Sequence, residues 1–265
     1  MSIYTTDFFQ SFDKVSLGSA RKVVPLVMDL IQPKRVVDVG CGVGNWLYVF
    51  REHGVEEILG IDGDYVDTKL LKIPQDCFLP HNLTKPLKVE QYFDLVVSVE
   101  VAEHLPIENA EEFVDTLVRL GPVILFSAAI PHQPGDSHLN TQWPDYWANL
   151  FQQREYTVID CLRNKFWQNE NVHWWYSQNM FLFVKQTELE KFPLLKQEYS
   201  KEEFSKGNVA PLSLVHPDLY LKQQAVYQSL KENYDPTKMS VKDAWLIFWV
   251  ALENSLKRKL SQTRS

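Results

Sequence analysis

Cysteine is scarce in this 265-residue chain, and Cys41, Cys77 and Cys161 fall far apart with no CxxC pair. An odd, widely spaced set excludes a disulfide framework or a zinc ribbon and points to reduced thiols in a cytoplasmic protein. Basic charge is also short, because 27 Lys and Arg against 34 Asp and Glu leave a formal net charge of −7. Such a chain lacks the broad basic face that neutralises phosphates, so no nucleic-acid partner is expected. Long apolar runs are missing too. The longest, Trp245 to Leu252, is far below the roughly 20 residues of a spanning helix. The N-terminal stretch, with Asp7 and Asp13 among its aromatics, lacks the basic and apolar regions of a signal peptide. What is there is 45% hydrophobic and 23% charged, enough apolar material for a large core and too little charge for a disordered chain.

Between Arg35 and about Val184, short β-branched runs alternate with helix-like segments, the pattern of a parallel sheet wrapped by helices. The runs are Val36 to Val39, Glu57 to Ile61, Phe93 to Val99, Val123 to Ala129, Tyr156 to Leu162 and Met180 to Val184, with a weaker strand near Cys77 to Pro80. The last two lack an intervening helix, which predicts antiparallel pairing at the sheet edge. The expected fold is α/β, a Rossmann-like, doubly wound, mostly parallel sheet of about seven strands. Ahead of it, Ala20 to Ile31 reads as a helix stopped by Pro33. After Val184 the chain turns to Lys/Glu-rich helical stretches interrupted by Gly207, Pro211 and Pro217. A last helix is expected from the N-cap Ser240 to Leu260, carrying Trp245, Phe248, Trp249, Leu252 and Leu256 as an apolar stripe. The division expected is a domain over residues 1–185 and a helical extension over 186–265, with a homodimer contact through the last helix as one use of that stripe.

The run from Val36 to Trp46 is a buried strand, then Gly40, Gly42 and Gly44, then a helix start at Asn45. Glycines at alternate positions let the backbone turn sharply and approach a ligand that a Cβ would block, and the helix start offers free N–H groups. A nicotinamide fingerprint needs Gly or Ala where Asn45 stands, and a phosphate-binding P-loop needs a Lys after the last glycine, so both lose ground. At the end of the second strand, 24 positions after Asp38, Asp62 can accept both hydroxyls of a ribose.

With the turn from Asp38 to Gly44, the acid Asp62 and the fourth-strand run Phe93 to Leu105, the chain over roughly residues 20–185 resembles the class I S-adenosylmethionine-dependent methyltransferases. The resemblance implies a methyltransferase with S-adenosylmethionine as cofactor. It assigns to that cofactor Asp38, Gly40, Cys41, Gly42, Gly44, Asn45, Trp46, Asp62, Gly63, Glu100 and His104. Where many relatives carry an Asp-Leu pair against the adenine, this chain has Asn82 and Leu83, an amide that can both accept from and donate to the base.

The loop Ile130 to Trp147 follows the fifth strand and so leaves the carboxyl edge of the sheet, where ligands of open α/β folds bind. It is similar to the corresponding segment of bacterial methyltransferases acting on sugars or secondary metabolites, which implies a small-molecule acceptor. Asn140, Gln142, Trp143 and Tyr146, with Trp174 and Trp175 further on, are the expected acceptor-binding residues. A hydroxyl nucleophile needs a base, and His138, followed by Asn140 and Gln142, is preferred over His132 for it. Methylation of an amine, a carbon or a carboxylate, and a cofactor-binding module without turnover, remain open. No His/Cys/Asp/Glu cluster shows metal-ligand spacing, so no metal is expected.

Overall fold

The computed structural model describes residues 6–204, 212–233 and 240–262, with side chains over 14–201, 212–231 and 240–255. Asp7, Asp13, Gly207, Pro211 and Leu256, used above, have side chains or backbone outside those ranges.

Chain order is α1 (Thr6–Ile31), β1 (Arg35–Val39), α2 (Asn45–Glu52), β2 (Glu57–Asp62), β3 (Phe78–Pro80), β4 (Leu95–Val99), α3 (Ala110–Leu120), β5 (Val123–Ser127), α4 (Pro144–Gln152), β6 (Tyr156–Ile159), α5 (Arg163–Phe166), α6 (Trp174–Asn179), β7 (Phe181–Lys185), α7 (Pro193–Phe204), α8 (Pro217–Asn233) and α9 (Val241–Gln262). The seven strands lie in the order β3-β2-β1-β4-β5-β7-β6. All neighbours are parallel except β7, which runs antiparallel to β5 on one side and β6 on the other. The expected antiparallel edge pair is therefore present, with the reversed strand one position inside the edge, although two short helices, α5 and α6, lie between its strands where none was expected. Strand order reverses between β1 and β4, the switch point at which chains leave the sheet in opposite directions and open a crevice.

Each strand feeds two cores because successive side chains alternate faces. Val36, Leu95 and Val97 pack with Val23, Val27, Leu47 and Phe50 of α1 and α2. Val37, Val39 and Val96 pack with Phe113 and Leu117 of α3 and with Phe151 of α4. The continuous apolar runs follow from burial on both faces. In α3, Phe113, Val114, Leu117 and Leu120 form the buried stripe, with Glu111 and Glu112 in the first turn and Arg119 in the last, complementing the helix dipole. Pro144 opens α4, where its missing N–H costs nothing.

Contacts divide the chain into two compact units, Met1–His216 and Pro217–Ser265. The first reaches past residue 185 because α7 packs on α1 and β6, burying Leu195 completely. In the second unit α9 starts as its sequence suggests: Ser240 Oγ accepts the Asp243 N–H at 3.2 Å. Trp245, Phe248 and Trp249 pack on one another and stay exposed. No described helix is long and apolar enough to cross a membrane.

Candidate functional site

The loops leaving β1, β2, β3, β4 and β5 at their carboxyl ends, with α6 and one residue of α1, enclose a cavity of about 560 Å³. The β1–α2 turn forms its floor. Gly40, Gly42 and Gly44 all have left-handed backbone, with φ of 90°, 54° and 85°. At Gly40 a Cβ would come within 2.3 Å of the Val101 side chain, so packing as well as φ demands glycine there. Gly40 N–H donates to the Ile61 carbonyl at 2.7 Å, fastening the turn to the end of β2.

Asp62, nearly buried, accepts from the N–H groups of Gly42 and Gly63, each at 2.7 Å, and from the Tyr65 hydroxyl at 2.5 Å. Tyr65 folds across Gly63 so closely that a Cβ there would lie 2.1 Å from its ring. Burial raises the Asp62 pKa against the lowering effect of these bonds. Asp38, one strand away, is fully buried with both carboxylate oxygens lacking a hydrogen-bond partner. Desolvation first, then the Asp62 charge, push its pKa well up. On the next strand's loop, Asn82 Oδ1 accepts from the Thr84 N–H at 3.0 Å and the Thr84 hydroxyl at 2.9 Å, a local turn that fixes the amide.

The opposite end of the cavity is built by the β4 and β5 loops. Glu100 has φ of 55°, an uncommon conformation for a side chain with a Cβ. Its N–H donates to the Ser127 carbonyl and Oγ, both at 3.0 Å. Its carboxylate accepts from Gln133 Nε2 at 2.8 Å and Asn179 Nδ2 at 3.1 Å. Glu103 is wholly buried, and neither carboxylate oxygen makes a hydrogen bond. Burial and the Glu100 charge raise its pKa well above the ordinary value. His104 and His138 meet edge to face with ring centroids 5.1 Å apart. Burial lowers the pKa of each, and for His104 the neighbouring His138 adds to the effect. One ligand atom each from Glu103, His104 and His138 lie within 4.8 Å of one another. That grouping was not visible as sequence spacing, because the loop carrying His138 folds back: the N–H groups of Leu139 and Asn140 donate to the Glu103 carbonyl at 2.8 and 3.0 Å.

Of the expected cofactor residues, Gly40, Cys41, Gly42, Asn45, Trp46, Asp62, Gly63, Asn82, Leu83, Glu100 and His104 line the cavity, whereas Asp38 and Gly44 lie behind its wall. His138 lines it; His132, exposed at φ 67°, does not. Trp175 is the expected acceptor residue that reaches the wall. Asn140 is buried behind Glu103, with its Oδ1 taken by Gln142 at 2.9 Å, Trp143 is exposed, Tyr146 packs on Trp147, and Trp174 is buried outside the lining. Sequence reasoning missed Ser16, Tyr65, Gln133 and Tyr176. Ser16 escaped because α1 begins well before Ala20, and Tyr176, in the stretch Asn169 to Tyr176 expected to close over the site, was not singled out beside Trp174 and Trp175.

Residues 18–181, more than half of the chain, match the methyltransferase domain family. The chain belongs to that family. It is an enzyme whose cofactor is S-adenosylmethionine. Among solved structures, this methyltransferase is similar to CalS10, an amino pentose methyltransferase from Micromonospora echinaspora involved in calicheamicin biosynthesis. The TM-score is 0.51 at 11% identity, covering 70% of this chain and 99% of that one. Human N-acetylserotonin methyltransferase gives a TM-score of 0.49 at 15% identity, over 67% of this chain and 55% of its own. The methyltransferase domain of bacterial CtHen1-C gives 0.47 at 19% identity, over 64% and 98%. At these identities the likeness is one of fold. No curated protein matches the methyltransferase.

The cavity fits the cofactor on its own terms. Its lining holds five carboxylates, Asp62, Asp64, Glu100, Glu103 and Asp136, and no Lys or Arg. That balance suits a ligand carrying a sulfonium and an ammonium and repels a pyrophosphate. The volume is ample for a nucleoside-sized ligand with room beside it.

Proposed function

We propose that this methyltransferase transfers a methyl group to a hydroxyl oxygen of a small molecule of the sugar or secondary-metabolite class, with the donor held over the glycine turn and the acceptor at the His104–His138 end. The observation that supports this most is one cavity lined by both the glycine turn with Asp62 and the two imidazoles of His104 and His138. Bound S-adenosylmethionine supplies a methyl carbon activated by a cationic sulfur. Asp62 exchanges its Tyr65 partner for ribose hydroxyls, Gly40 and Gly42 let the backbone lie against the cofactor, and Leu83 with Asn82 flanks the adenine. Asn45 and Trp46 close the helix-start side of the turn. Glu100, held by Gln133 and Asn179, is fixed where it can meet positive charge. Proximity, alignment and exclusion of water do most of the catalytic work, because the leaving group is a neutral thioether.

A hydroxyl must lose its proton, and the lowered pKa values of His104 and His138 keep both imidazoles neutral near pH 7, able to take part in that loss. His132, outside the lining, is the weaker candidate for base. The thiol state of Cys41, Cys77 and Cys161 agrees with a cytoplasmic setting.

Calorimetry with S-adenosylmethionine tests the donor half. Asp62→Ala removes charge-assisted bonds and is expected to weaken binding about tenfold or more. Unchanged affinity in a folded variant would remove Asp62 from the ribose contact. Mass spectrometry of S-adenosylhomocysteine and methylated products, formed from a hydroxylated metabolite extract, tests the acceptor half. Products methylated only on nitrogen, carbon or carboxylate would refute the oxygen acceptor, and absence of turnover with intact binding would favour a cofactor-binding module.

A further inference from the structure

We infer that Glu103, His104 and His138 form a site for a divalent transition-metal cation at the acceptor end of the cavity. The starting point is Glu103. Its side chain is wholly excluded from solvent, and both oxygens lack a hydrogen-bond partner, yet it lines the cavity. A carboxylate in that state must either take up a proton or meet a cation. The second carboxylate beside it, Glu100, already accepts two amide hydrogen bonds and adds negative charge to the same pocket.

The two imidazoles supply what a cation needs. His104 Nδ1 lies 3.4 Å from the Ser137 carbonyl and His138 Nδ1 lies 3.2 Å from the Gln133 carbonyl. A carbonyl oxygen can be answered only by an N–H, so both contacts put the proton on Nδ1 and leave the Nε2 lone pair available. This is how metal-binding histidines are commonly held, one ring nitrogen anchored to a backbone acceptor and the other on the metal. One atom able to ligate from each of the three residues, a ring nitrogen for each histidine, lies within 4.8 Å of those of the other two. Bonds of about 2.0–2.2 Å to a tetrahedral cation would set them roughly 3.5 Å apart. The site therefore needs to close by no more than about an ångström on binding, through side-chain torsions of two half-buried histidines on facing loops. Two nitrogens and one carboxylate favour zinc, manganese, iron or cobalt over calcium and magnesium. Three protein ligands leave at least one coordination position for an oxygen from the cavity.

Resting on the oxygen-acceptor reading above, this assigns the cation to the acceptor: it binds and orients a substrate oxygen and favours its ionised form, which makes His138 a ligand instead of the base. The competing arrangement is a proton shared between Glu103 and Glu100, which needs no metal.

The test uses the full chain, stripped with chelator and titrated with Co²⁺ while the visible absorption is recorded, followed by competition with Zn²⁺ and Mn²⁺. One equivalent with ligand-field bands of nitrogen and oxygen coordination is expected. His138→Ala should weaken it on the order of 100-fold, as should Glu103→Gln. His138 is half-buried, so its variant keeps the test alive if Glu103→Gln fails to fold. Absence of stoichiometric binding by the parent protein, or unchanged affinity in folded His138→Ala, would overturn the site in favour of the shared proton. Donor affinity measured on the same stripped protein separates the two proposals: a metal site with no donor binding would sink the donor placement alone, and donor binding without metal would sink this one.

Discussion

Asp38 shows how one residue can be read from sequence and still change meaning in the fold. It sits in the glycine-turn motif, but it lies behind the cavity wall, buried and without hydrogen-bond partners. Its folded-state pKa is raised by desolvation and by Asp62, so the native chain holds a proton that the unfolded chain releases. The stability linked to this group is full below the ordinary carboxylate pKa and is lost as pH rises toward the raised native value. Asp38→Asn keeps the shape and cannot ionise. It is expected to be more stable than the parent at pH 7 by about 1 kcal/mol or more, the gap closing below pH ~4. Urea denaturation at the two pH values reads the difference, and equal midpoints at pH 7 would contradict it. Glu103 is another buried acid without hydrogen-bond partners, and it became informative only when its burial was known.

At the scale of elements, the β1–α2 turn is the most constrained part of the chain. Gly40 combines a φ of 90° with a side-chain neighbour that would lie 2.3 Å from any Cβ. Gly40→Ala is expected to cost about 2 kcal/mol or more, from backbone strain together with overpacking. Val101→Ala in the same chain should restore the steric share and leave the strain. Denaturation midpoints of the single and double variants test this; no recovery in the double would mean that Val101 is not the obstacle. Helix α5 shows a different device. Arg163, buried in that short helix, pairs with Asp160, donates Nη1–H to the Leu212 carbonyl at 2.6 Å and lies 4.4 Å from the Phe181 ring centroid. It ties the segment ahead of His216 to the sheet, which is part of why the first unit extends past residue 185.

For the whole molecule, every residue lining the cavity lies between Ser16 and Tyr176, inside the first unit. A chain ending at His216 is therefore expected to bind S-adenosylmethionine within about threefold of the full protein, since separate sites act independently. A much larger loss by calorimetry would show that residues beyond 216 support the site. The same pair of proteins tests the homodimer proposed through α9, whose Trp245, Phe248 and Trp249 are each 56% exposed. Light scattering should give a dimer for the full chain and a monomer for the shortened one; two monomers would leave that aromatic face without a role in self-association.

Sequence alone determined the strands, the glycine turn and the acid at the end of β2, because these depend on local constraints: short continuous β-branched runs buried on both faces, left-handed φ and a fixed distance along the chain. It also carried the methyltransferase resemblance, since Gly40, Gly42 and Asp62 meet through adjacent parallel strands. The acceptor end was another matter. Asn140, Gln142 and Trp143 share a polar loop with His138, and Tyr146 follows in α4, but of these five only His138 turns into the cavity, because that loop is pinned by the Glu103 carbonyl. Gln133 arrives on the β5 loop, and Tyr176 comes to the same pocket from far along the chain, by way of the placement of α6 over the sheet end, while Asn179 at the end of that helix donates to Glu100. Which side chains face one another across a crevice is set by long-range packing, and tertiary structure alone decided it.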